Sequence, residues 1–187
     1  MTEWITQLDF SILYWIQGNL RCGFLDFLMP KITFLGNAGL IWLLSAGILI
    51  LLPKYRREGI LLLAGLAVGV LVGNLAMKPL FARPRPCWVD PAVDMLVTVP
   101  KDFSFPSGHT LSSVIAATVL CAADRRFGIV AIPLALLIAF SRLYLFVHFP
   151  TDVLASLVLG VAIGLVALKC GGALLDKAAN LRAGSAK

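Results

Sequence analysis

The chain has 187 residues, 59% of them apolar and only 14% charged, with a mean hydropathy of +0.91. That balance excludes a soluble globular domain and predicts an all-α, polytopic transmembrane helix bundle forming a single domain, residues 1–187. The net charge of +6 does not signal nucleic acid, because the basic residues fall in short loops between apolar runs and form no stripe interleaved with aromatics.

Residues 3–17 come first. Trp4, Ile5, Leu8, Ile12, Trp15 and Ile16 share one helical face, and Asp9 sits in the middle of the run. This predicts an amphipathic helix lying in the membrane interface rather than a span. Residues 24–52 read as the first span, with Asp26, Pro30 and Lys31 giving it an interfacial or kinked entry. The basic loop Pro53-Lys54-Tyr55-Arg56-Arg57 follows, then a second span over 59–77. Its glycines Gly65, Gly69 and Gly73 recur every fourth residue, a spacing that lets another helix of the same monomer approach closely.

Residues 79–108 hold Pro79, Pro84, Pro86, Pro91, Pro100 and Pro106, and are expected to form an outer loop with at most short helical turns. Residues 109–123, 127–147 and 152–170 read as the third, fourth and fifth spans, the last carrying Gly160 and Gly164. Residues 171–187 are expected to be a cytoplasmic tail ending in a small, polar, disordered segment. The cysteines Cys22, Cys87, Cys121 and Cys170 form no CxxC or Cys/His pattern, so no metal site is expected. A Cys22–Cys87 disulfide on the outer face is left open. Glu3 opens the chain without a basic leader, so no cleavable signal peptide is expected.

Five spans put the termini on opposite sides. One side holds Lys54, Arg56, Arg57, Arg125, Arg126, Lys169, Lys177, Arg182 and Lys187. The other holds Arg21, Lys31, Lys78, Arg83, Arg85, Lys101 and Arg142. The excess of basic residues in short loops makes the first side cytoplasmic. The outer loop, His109 and His148 then face the periplasm or the exterior of a cell membrane.

Polar residues on that outer face gather in three segments: Lys78 to Pro86, Phe105 to His109, and Phe140 to Asp152. Lys78, Arg85 and Arg142 read either as cations converging on a multi-oxygen anion such as phosphate or as interface anchors. Ser107, Gly108 and His109 open a helix, where free N–H groups and the helix dipole favour an anion; Ser107 is also a helix cap. His148 and Asp152 flank Pro150, so the acid can meet the imidazole across a helix start and fix its tautomer. Arg83, Lys101 and Asp102 read as solvated loop charges.

The segments spell K-x6-R-P from Lys78 to Pro86, P-S-G-H from Pro106 to His109, and S-R-x5-H-x3-D from Ser141 to Asp152. In that order and spacing the chain resembles the type 2 phosphatidic acid phosphatase superfamily, which includes vanadium haloperoxidases and glucose-6-phosphatase. The resemblance covers Lys78 to Asp152. It implies that His148 attacks phosphorus to form a phosphohistidine, that Asp152 orients it, and that His109 protonates the leaving oxygen and then activates water. It also implies that Lys78, Arg85, Ser107, Gly108 and Arg142 hold the phosphoryl oxygens. No metal or other cofactor is implied, and the loop acids Asp90, Asp94 and Asp102 have no counterpart in the motifs.

The partner this implies is a lipid phosphate in the bilayer, with no nucleic acid; nothing in the sequence sets the oligomeric state. Undecaprenyl diphosphate is the leading expectation. Phosphatidylglycerophosphate, phosphatidic acid, or phosphotransfer to a lipid acceptor are the alternatives, because the motifs contact only the phosphate.

Overall fold

The computed structural model describes residues 3–185, and every regular element among them is helical. In chain order these are α1 (Glu3–Asn19), α2 (Gly23–Leu35), α3 (Leu40–Leu51), α4 (Arg56–Gly69), α5 (Lys78–Phe81), α6 (Pro86–Val89), α7 (Gly108–Ala123), α8 (Arg125–Tyr144), α9 (Pro150–Val166) and α10 (Gly172–Ser185). A π-helical stretch, Val70–Met77, joins α4 to α5, and another, Ala167–Gly171, joins α9 to α10. Three continuous stretches are long and apolar enough to cross a membrane: Pro53–Val89, Arg125–Tyr144 and Pro150–Lys177. The bent pair α2–α3 makes a fourth, with 45° between its arms.

The shorter α7 is the axis of the bundle. Most of its length is buried, from Thr110 and Leu111 to Val119 and Leu120. Two glycine stripes make that closeness attainable. Gly69 and Gly73 lie so near α7 that a Cβ on them would fall 2.6 Å from Ile115 Cδ1 and from Leu111 Cδ2 respectively. On the other flank, Cβ atoms on Gly160 and Gly164 would fall 2.7 Å from Val114 Cβ and 2.8 Å from Thr118 Cβ. The four-residue spacing therefore serves packing within the chain, as expected. Trp42 of α3 closes a third side by donating from Nε1 to Ser113 Oγ at 2.9 Å.

Polar ties fix the two ends. Tyr55 donates to Asp124 Oδ2 at 3.0 Å and Arg57 pairs with Asp176 at 3.1 Å, so the loop after α3, the α7–α8 turn and α10 share one end. At the other end α1 lies on the turn between α8 and α9, with Leu13 and Ile16 buried and Phe10 edge-on to Phe149. Its outer face presents Trp4, Leu8, Ile12 and Trp15.

The structure places the kink, replaces the expected disordered tail and closes the open question of the disulfide. The first span is bent at Asn37–Gly39, where Ala38 (φ 51°) and Gly39 (φ 68°) are left-handed, and Pro30 lies inside α2. The tail is helical through Ser185, while residues 186–187 lie outside the described residues. Cys22 and Cys87 are both free thiols.

Candidate active site

Each of the three segments is aimed by its local backbone. α5 ends at Ala82, left-handed at φ 41°, whose N–H donates to Lys78 O at 2.9 Å. The reversal brings Arg83 and Arg85 back under Lys78. α8 ends beyond Arg142, and Phe146, buried at φ 56°, reverses the chain just before His148. Left-handed conformations at such residues are strained and cluster at functional sites. Pro150 then takes the first helical position of α9, where its missing N–H costs nothing. Asp152 sits two residues on and accepts from Phe149 N–H at 2.9 Å.

These segments surround one cavity of about 950 Å³. Lys78, Arg85, Gly108, His109, Arg142 and His148 line it; Ser107 and Asp152 are fully buried and do not. Ser107 caps α7, accepting from Thr110 N–H at 3.4 Å and from Thr110 Oγ1 at 3.0 Å. From the polar end the cavity runs along the trough between α3 and α4 with its π-helical extension, past Leu43, Leu63, Ala67 and Val70. It thus has a cationic head and an apolar flank.

The partners of His148 assign its tautomer. Nε2 lies 3.0 Å from Arg85 Nη1, which can only donate, so Nε2 holds a lone pair. Nδ1 faces Asp152 Oδ2 at 3.6 Å and Ser104 Oγ at 3.4 Å. Ser104 also donates to Asp152 Oδ2 at 2.5 Å, which places it between the imidazole and the acid. Burial, and then the charges of Arg85, Arg142 and Lys78, push the His148 pKa well below its usual value. A neutral imidazole with its Nε2 lone pair on the cavity wall is a form competent for nucleophilic attack.

The cations are arranged for an oxyanion. Arg142 donates from Nη1 to Thr33 Oγ1, and its Nε is the single buried side-chain nitrogen or oxygen without a hydrogen-bond partner among the described residues. A buried donor in that state marks a place for a bound acceptor. Lys78 and Arg85 are bridged by Asp102, whose Oδ1 lies 2.8 Å from Arg85 Nη2 and whose Oδ2 accepts from Lys78. Burial tends to raise the Asp102 pKa, but Lys78 and Arg85 outweigh it and bring it down to about 2. His109 makes one side-chain contact, from Nε2 to Asn37 Oδ1 at 2.9 Å. The α2–α3 bend puts Asn37 there: a Cβ on Gly36 would fall 2.7 Å from His109 Cδ2.

Two readings of loop charges are corrected. Arg83 is 7% exposed, and donates to Asp152 Oδ1 at 2.5 Å and Asp9 Oδ2 at 2.7 Å. Asp102 is exposed, as expected of a loop charge, but is paired with two cations. Lys101 stays exposed, as expected. Ser104, Asn37 and Asp9 carried no signal in the sequence, because their spacing to the histidines is set only by the fold. Asp9, which in the sequence only interrupts an apolar run, is buried and paired with Arg83.

Comparison with known proteins gives the same framework. Residues 58–175 match the family model described as the PAP2 superfamily. The undecaprenyl-diphosphatase of Sulfolobus acidocaldarius is 34% identical over 122 residues, 64% of this chain and 58% of that protein. The chain therefore spans a little over half of that relative. The decaprenylphosphoryl-5-phosphoribose phosphatase of Mycobacterium tuberculosis is 36% identical over 134 residues, covering 70% of this chain and 72% of the relative. The crystal structure of the transmembrane PAP2-type phosphatidylglycerolphosphate phosphatase from Bacillus subtilis superposes with a TM-score of 0.73. It shares 28% identity and covers 89% of this chain and 85% of its own. With its apolar helices, its three motif segments on one cavity and a family match over most of its length, the chain is a membrane protein that belongs to the PAP2 superfamily.

Proposed function

We propose that the protein removes a phosphate or diphosphate headgroup from a membrane lipid through a phosphohistidine, without a metal, and that its substrate is a long polyprenyl diphosphate such as undecaprenyl diphosphate. The observation that carries this reading is the cavity itself. Cations from two segments and the unpartnered Arg142 Nε surround His148, while the apolar wall of α3 and α4 leads away toward lipid. A headgroup at the polar end leaves its chain in the bilayer.

In the first step His148 Nε2 bonds to phosphorus as the bridging P–O bond breaks. His109 gives its proton to the leaving oxygen. Asn37 Oδ1, 2.9 Å from His109 Nε2, marks where that oxygen rests. Lys78, Arg85, Arg142 and the N-terminus of α7 at Gly108 take up charge on the non-bridging oxygens, and the reaction needs little more than such positioning and neutralisation. In the second step His109 takes a proton from water, the oxygen attacks phosphorus, and phosphate leaves with His148 restored. The relatives' names support a polyprenyl substrate; the name of the Bacillus subtilis structure supports phosphatidylglycerophosphate as the second reading. The basic loops at the opposite end support a site facing outward from the cell or inner membrane, and the exposed apolar face of α1 supports its lying in the interface.

The test is phosphate release in detergent from undecaprenyl diphosphate, phosphatidylglycerophosphate and phosphatidic acid, with EDTA present. Fastest release from the diphosphate, inhibition by vanadate and loss in His148→Ala are expected. Full activity in His148→Ala rejects the mechanism; preference for either glycerolipid rejects the substrate.

A further inference from the structure

We infer that Arg83 and Asp9 are positioning residues for the reaction, a buried relay through which α1 holds Asp152 in place behind His148. The inference rests on the phosphohistidine reading above and adds to it two residues whose identity the three motifs do not specify: Arg83, at a variable position of the first, and Asp9 on α1.

Asp152 is wholly buried, and its two oxygens have separate duties. Oδ2 takes Phe149 N–H at 2.9 Å and Ser104 Oγ at 2.5 Å and faces His148 Nδ1. Oδ1 takes Arg83 Nη1 at 2.5 Å. The Arg83 guanidinium lies 3.9 Å over the Phe149 ring, which sets its plane. Its other arm, Nη2, goes to Asp9 Oδ2 at 2.7 Å. Asp9 is held in turn by α9: Oδ1 accepts from Thr151 N–H at 3.0 Å and Oδ2 from Thr151 Oγ1 at 2.6 Å. Thr151 Oγ1 also receives Arg83 Nη1 at 2.8 Å. One cation thus sits between two buried carboxylates, and a residue of α1 caps the helix that carries the acid.

The chemistry follows from this placement. A buried carboxylate is held in one orientation by the donors on its oxygens. Without Arg83, Asp152 Oδ1 has no partner, the carboxylate is free to turn about Oδ2, and it no longer holds the imidazolium formed as Nε2 attacks. Asp9 balances the pull on Arg83. Without it the guanidinium has a single carboxylate partner and is free to shift toward Asp152. The charged groups around Arg83 are Asp9 from α1 and Asp152 from α9. Those acting on His148 are Asp152 and the cations Arg85, Arg142 and Lys78, with His109 beyond them. Arg83 does not line the cavity, so it acts on the nucleophile through Asp152 and not on the substrate.

The test uses the full-length protein with Arg83→Gln, Arg83→Lys and Asp9→Asn, and the double variant Arg83→Gln/Asp9→Asn. Arg83→Gln is expected to lower kcat by about 10- to 100-fold, as loss of an orienting partner typically does, with KM little changed. Arg83→Lys recovers part of kcat, Asp9→Asn gives a smaller loss, and the double variant loses less than the product of the singles. Vanadate titration supplies a readout independent of lipid turnover, because vanadate bonds to the same Nε2; its affinity falls in step with kcat. Should the wild type release phosphate from none of the lipids, the proposed function fails while the vanadate arm still reads Arg83. If Arg83→Gln does not fold, Arg83→Lys and Asp9→Asn carry the test. Wild-type kcat and vanadate affinity in the folded variants, with only Tm lowered, would make the relay a structural tie and overturn the inference.

Discussion

Asp102 places a carboxylate on Lys78 and Arg85 together. Under the proposed function, a phosphoryl group entering the cavity has to share or displace it. Asp102→Asn is therefore expected to tighten inhibition by inorganic phosphate and vanadate about 10-fold, the effect of roughly 1.4 kcal/mol in relieved repulsion. Weaker inhibition would instead make Asp102 an aligner of the two cations. The pH dependence follows from its pKa, lowered to about 2 from 3.8. Its stabilising contribution is fully present above pH 3.8 and is lost as pH falls through about 2, so the carboxylate stays charged at any working pH. His148 responds in the opposite direction to a lost cation. Lys78 is among the charges that depress its pKa. Lys78→Met lightens the penalty on the imidazolium, so the His148 pKa rises and the acid limb of kcat/KM moves to higher pH. An unmoved limb in that variant would mean another group sets it. At this scale the sequence spoke through residue type and spacing: Lys78, Arg85, Arg142 and both histidines were legible as a set. Arg83 was not, because a lone arginine beside prolines looks solvated until Asp9 and Asp152 are seen on either side of it.

α7 is flanked by glycine stripes, and the tightness of that fit sets what each glycine tolerates. A Cβ on Gly160 would sit 2.7 Å from Val114 Cβ and 3.2 Å from Leu111 O, and the latter is backbone that cannot turn aside. Gly160→Val is expected to destabilise the protein by about 1–3 kcal/mol through overpacking, read as a lower Tm in detergent. An unchanged Tm would show that α7 and α9 can separate at little cost. The four-residue recurrence of Gly65, Gly69 and Gly73 made this packing readable in the sequence, since each falls on one helical face. The bend between α2 and α3 was not readable. Ala38 adopts a left-handed backbone against its own preference, and only contact with α7 explains it: Asn37 meets His109 there, and Gly36 leaves room for the ring. Pro30 was the visible helix breaker, yet it lies within α2, whose ladder absorbs it.

The whole molecule separates two chemistries by length. At one end lie the cavity, α1 and the segment 82–107; at the other, the loop after α3 and the α7–α8 turn carry Lys54, Arg56, Arg57, Arg125 and Arg126. Hydropathy alone reveals this polarity, because spans and loops alternate, but it does not say which thiols can be reached. Cys87 lies in the outer segment and looks accessible in the sequence; in the fold it is buried beside Tyr144 and Leu145. Cys22, in the short link between α1 and α2, is exposed at the same end. A membrane-impermeant maleimide applied to intact cells is therefore expected to label the wild type, and to lose most of that signal in Cys22→Ser. Adding Lys54→Cys to the Cys22→Ser protein places an exposed thiol at the opposite end, and that thiol should react only after the membrane is permeabilised. If the Lys54→Cys thiol reacts in intact cells while Cys22 does not, the cavity opens to the cytoplasm. Phosphate would then be released inside, and the basic loops would not be reporting the orientation that short loops usually report.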